Sequence, residues 1–103
     1  MTSKLKLNPN PTFELLVSVP VAGKLENEDV LFTVKHLPQT KLAEMFDDGI
    51  VYREFGKEMV TGWDIDAPFN QDNLMILFDN YPQSAFLLFK AYEAEYYKAA
   101  GKN

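Results

Sequence analysis

Apolar residues in this chain recur at every second position up to Lys35 and at every third or fourth position after Pro38. That change of period sets what the chain can fold into. Alternation suits a half-buried strand, and the longer spacing suits a helix with one buried face. Phe13, Leu15, Val17 and Val19 alternate with Glu14, Leu16 and Ser18, and Val30, Phe32 and Val34 repeat the pattern. The two runs predict an antiparallel β-hairpin over about residues 11–36. Its connection, Pro20 to Asp29, is too long for a tight turn. Pro11 suits the first position of a strand, where a missing N–H takes nothing from the ladder. Lys4-Leu5-Lys6-Leu7 alternates too and is a candidate for a short third strand.

Three to four helices are expected over about residues 38–100. Leu42, Met45 and Phe46 share a helix face, and Asp47-Asp48-Gly49 supplies a stop. Val51, Phe55 and Met59 fall four apart, which predicts a weaker helix carrying Gly56 inside it at a cost of ~1 kcal/mol. Gly62 is expected to end that helix at its C′ position. Asn70 reads as an N-cap, with Phe69 and Leu74 placed to form a hydrophobic staple. Leu74, Leu77, Phe78 and Tyr81 then line one face. Pro82 breaks the pattern and can open the next helix. Ala85, Leu88, Phe89, Tyr92 and Tyr96 form the stripe of a long last helix, with Gly101 as its terminator. The fold class is α+β: an N-terminal antiparallel hairpin packed with C-terminal helices. The 103 residues are read as a single domain.

Composition narrows the function. Without cysteine there is no disulfide framework, zinc–thiolate site or cysteine nucleophile, and no need for an oxidising compartment. Ten basic against fifteen acidic residues give a net charge of −5 with no basic block, which speaks against nucleic acid as a partner. No apolar run approaches the ~20 residues of a membrane helix, and the N-terminus lacks the apolar region of a signal peptide. The expectation is a soluble, intracellular protein without a membrane partner.

The chain is short of chemistry. His36 is the sole histidine, and Ser3, Ser18 and Ser84 sit in no nucleophile elbow. His36 reads as a hydrogen-bonded packing residue. The five glycines are scattered, without a phosphate-binding spacing. Asp64-Ile65-Asp66 invites a calcium loop, but Phe69 and Met75 stand where such a loop needs Gly and Glu. No catalytic, cofactor-binding or metal site is expected, and no enzyme. What the chain does have is aromatic content near its C-terminal end. On a helical wheel Phe86 and Tyr97 flank the buried stripe of the last helix and Leu87 lies nearly opposite it, which makes these three the candidate protein-binding face. Trp63 reads as a core anchor.

Several segments resemble one family. Lys4-Leu5-Lys6-Leu7-Asn8-Pro9-Asn10-Pro11-Thr12-Phe13 is similar to the opening of small tailed-phage (or prophage) tail assembly chaperones. So is the strand end Phe32-Thr33-Val34-Lys35-His36 followed by Pro38. Gly62-Trp63-Asp64-Ile65-Asp66-Ala67-Pro68-Phe69-Asn70 leading into Asn73-Leu74, and then Tyr81-Pro82-Gln83-Ser84-Ala85 with Tyr92, complete the likeness. It runs along nearly the whole chain in order, and its most specific part is Gly-Trp-Asp followed by Tyr-Pro. Residues 47–61 depart from it, being shorter and glycine-interrupted where a longer helix is expected.

The resemblance implies a non-catalytic protein of the infected host cytoplasm, absent from the finished virion. Its implied partners are the tape-measure protein, which it coats and keeps soluble, and tail-tube subunits, which it helps recruit. Weak self-association is compatible with that role. Two other readings remain at the level of sequence: a structural tail or connector subunit, and a small acidic regulator that binds a host protein.

Overall fold

The computed structural model describes residues 2–98. Two eight-residue strands, β1 (Thr12–Val19) and β2 (Glu28–Lys35), form the hairpin and pair antiparallel with Phe13 opposite Val34, Leu15 opposite Phe32 and Val17 opposite Val30. Two helices follow, α1 (Gln39–Asp47) and α2 (Tyr52–Met59). The chain then returns to the sheet as β3 (Val60–Trp63), antiparallel to β2, with a bulge between Thr33 and Val34. Helices α3 (Gln71–Asn80) and α4 (Ser84–Tyr96) complete an α+β fold with sheet order β1-β2-β3.

The period-two pattern divides the sheet into two faces. Leu15, Val17, Val19, Phe32, Val34 and Val60 are buried against the helices, whereas Glu14, Leu16 and Ser18 face outward and are exposed. The helices meet that inner face with Leu42, Phe55, Met59, Leu74, Phe78, Leu88 and Tyr92, all buried. Sheet and helix stripes thus close one hydrophobic cluster.

Local signals explain the helix ends. The α1 helix stops at Asp47, and Gly49 then adopts φ +74°, the left-handed conformation that glycine reaches without a steric cost. Asn70 caps α3, its side-chain oxygen accepting the Asn73 N–H at 2.8 Å. Pro82 lies in the turn between α3 and α4, where Ser84 N–H and Oγ both donate to the Tyr81 carbonyl. The expected terminator Gly101 lies outside the described residues.

The sequence reading needs correction in the middle of the chain and at its start. Gly62 does not end α2; it lies within β3, and the helix gives way to strand directly at Val60. Val51 is not on the buried helix face but is the N-cap, 60% exposed. The third strand exists, yet it is built from residues 60–63, and Lys4–Leu7 forms no strand. Residues 2–10 are instead an exposed arm with Leu5 88% and Leu7 96% exposed. The molecule measures 53 × 31 × 30 Å, with a radius of gyration of 14.9 Å against the ~13 Å of a compact chain this size.

Candidate functional site

The residues whose side-chain types could carry chemistry, none of which is expected to, have packing and hydrogen-bonding places in the fold. The His36 ring lies between Phe13 and Tyr96, with centroids 5.8 and 5.2 Å away, and its backbone N–H donates to the Pro11 carbonyl at 2.8 Å. Ser18 pairs with Asp29 at the far end of the hairpin from His36, roughly 20 Å along the strand. Ser84 is fully buried and spends its hydroxyl on the Tyr81 carbonyl at 2.6 Å. Asp64 extends the sheet, its N–H donating to the Leu31 carbonyl and its carboxylate accepting the Leu31 N–H at 2.9 Å. Among the described residues no group of three or more His, Asp or Glu is placed to hold a metal ion.

A cleft of about 800 Å³ between β2, α1 and α2 is lined by Lys35, Lys41 and Lys57 together with Asp48, Glu54 and Glu58. Its charges offset each other, so it presents no field of one sign for an ionic ligand.

The feature the packing brings together is aromatic. Phe46 at the end of α1, Tyr52 at the start of α2 and Phe86 in α4 converge around Phe89. Tyr52 lies 5.1 Å from both Phe86 and Phe89, and Phe46 lies 5.7 Å from Phe89, centroid to centroid. Phe46 is 41%, Tyr52 44% and Phe86 37% exposed, so three large rings from three helices share one solvent-facing surface. Their inner edges are held: Phe46 stacks on buried Phe55, and Phe55 meets Phe89 edge to face at 5.1 Å. Rings supported in this way keep their geometry, and fixed aromatic surface is what protein interfaces use as anchors.

The three residues named from the sequence separate in the structure. Phe86 is in this cluster. Leu87 is half-buried and packs against the core. Tyr97 sits about three turns further along α4, where its hydroxyl donates to Gln39 Oε1 at 2.6 Å and ties the end of α4 to α1. Phe46 and Tyr52 had no distinguishing mark in the sequence. Phe46 shares a helical stripe with Leu42, and only the way α1, α2 and α4 meet leaves its ring partly open. Trp63, expected in the core, is half-buried at its margin, edge to face with Phe69 at 5.2 Å, with its indole N–H donating to the Ala67 carbonyl at 2.9 Å.

The fold and this cluster define a small α+β protein with a partly exposed aromatic surface shared by three helices. The chain belongs to the phage tail assembly chaperone family, whose model matches residues 1–103. No curated protein and no solved structure matches the chain. Among the described residues no helix is long and apolar enough to cross a membrane.

Proposed function

We propose that this chaperone lays the Phe46–Tyr52–Phe86 surface on apolar helical segments of the tape-measure protein, keeps them soluble in the host cytoplasm, and yields them to tail-tube subunits. No chemical step is involved. The observation that supports this reading is the convergence of three partly exposed rings from three helices on one surface. A long helical partner with an apolar face aggregates unless that face is covered. An aromatic surface on packed helices can accept it in the helix-in-groove manner. The net charge of −5 then keeps the coated partner dispersed. Of the residues the sequence points to, Phe86 makes the direct contact. Leu87 and Tyr97 contribute only the parts of their side chains that the core leaves open.

Co-expression with the tape-measure protein tests the reading. The partner is expected in the soluble fraction and to co-purify with the wild-type chain. Phe86→Glu should keep the melting temperature within a few degrees and return most of the partner to the pellet. A tape-measure protein that stays insoluble and unbound beside the wild-type chain would falsify the proposal.

A further inference from the structure

The arm and the outer edge of β1 are both left unsatisfied, and they fit each other. The Pro11 carbonyl accepts the His36 N–H, so residues 11 and 36 form a hydrogen-bonded pair. In an antiparallel ladder such pairs recur at every second residue. The odd-numbered residues of β1 therefore bond to β2, and Thr12, Glu14, Leu16 and Ser18 direct their N–H and C=O groups away from it. Among the described residues no backbone partner meets those outward groups. Leu16 adds a side chain 61% exposed on the open face of the sheet, beside its cross-strand neighbour Leu31. An eight-residue edge of this kind is a template for another strand.

The arm has the pattern of that strand. Lys4-Leu5-Lys6-Leu7 alternates, yet both leucines stand almost fully in water. Its charge is complementary to the rest of the molecule. The first acidic residue of the chain is Glu14, and the arm carries two of the ten basic residues, leaving eight against fifteen acids beyond it. Asn8 and Asn10 each precede a proline, which holds them extended and works against a tight return of the arm onto its own β1.

We propose that the arm of one copy adds as a strand to the β1 edge of a second copy, and that the exchange is reciprocal. An antiparallel register that sets Leu7 beside Leu16 also sets Leu5 beside Ser18, and the same register serves both arms. Because it matches odd-numbered arm residues to even-numbered strand residues, it requires a half-turn of the chain between Leu7 and Thr12, where the chain already bends at residues 8 and 11. Pro9 and Pro11, which have no N–H to give, then fall near the two-fold axis, and the ladder runs through Leu5 and Leu7. Leucine is laid against leucine on the open sheet face, and a cationic arm is laid on an acidic body. The dimer leaves the Phe46–Tyr52–Phe86 surface on the helical side untouched, so it stands or falls separately from the chaperone proposal.

Sedimentation velocity across a concentration series, with hydrogen exchange on the same samples, tests it. The full chain should show a concentration-dependent dimer, and the Leu16 and Ser18 amides should exchange at least tenfold more slowly at high concentration than at low. Deleting residues 2–8 should give a monomer with fast exchange at both amides and an unchanged melting temperature. Leu5→Ser with Leu7→Ser, which keeps the arm's length, should do the same. A full chain that remains monomeric, a dimer that survives both arm variants, or amide protection independent of concentration would each overturn the proposal.

Discussion

The Tyr92 hydroxyl donates to the Lys35 carbonyl at 2.9 Å, and Tyr96 donates to the Leu37 carbonyl at 2.7 Å, so two phenols pin α4 to the end of β2. Burial pushes the Tyr92 phenol up from 10.0 to about 12, with Tyr96 and Tyr97 nearby adding to the shift. Burial raises Tyr96 as well. The sign of the pH dependence follows. Unfolded Tyr92 loses its proton near pH 10 while the folded chain retains it to about pH 12. Its contribution is therefore complete below pH 10 and is lost as pH rises towards 12. Tyr92→Phe should lose about 1 kcal/mol at neutral pH, because the Lys35 carbonyl loses its donor. The same variant should show a shallower decline at high pH. Urea denaturation of both proteins at pH 7, 9 and 11.5 measures the two effects.

Helix α2 shows how an element can break its local rule for a packing reason. Gly56 weakens a helix by ~1 kcal/mol relative to alanine. Here a Cβ at that position would lie 2.5 Å from Phe78 Cζ and 2.7 Å from Cε2, within a ring that is itself buried. The glycine lets α2 and α3 approach closely enough for Phe78 to lie on the α2 backbone. Gly56→Ala should therefore destabilise by about 1–3 kcal/mol despite its better helix propensity. Adding Phe78→Leu should recover most of that loss, and thermal melts of the single and double variants check both statements. Strand β3 has the opposite character. Val60-Thr61-Gly62-Trp63 is four residues with a glycine, which carries almost no strand signal alone, and it becomes a strand by pairing with β2.

At the scale of the molecule, the sheet keeps one face for the core and leaves the other in water, and the aromatic surface lies on the helical side. On the proposed function, the chain leaves when tail-tube subunits arrive. Mass spectrometry of purified particles should find the tape-measure and tube proteins and none of this chain. Its presence there at a stoichiometric level would point instead to a tail or connector subunit, which stays in the particle through a ring-forming interface.

The hairpin, its buried residues, the α3 cap at Asn70, the α1 stop at Gly49 and the stripe of α4 were all legible in the residues, because each depends on neighbours a few positions away. So was the family, since the likeness runs along the chain in order. Phe86 could be singled out as an extra apolar residue beside a filled stripe. Its partners Phe46 and Tyr52 could not, because their exposure depends on how α1, α2 and α4 cross. Trp63 at the margin of the core, Gly62 within a strand and the unpaired arm have the same cause. Periodicity records which side of an element is apolar, and that much the sequence determined by itself. Which apolar side chains end up covered depends on contacts between residues distant in the chain, and only the tertiary structure decided that.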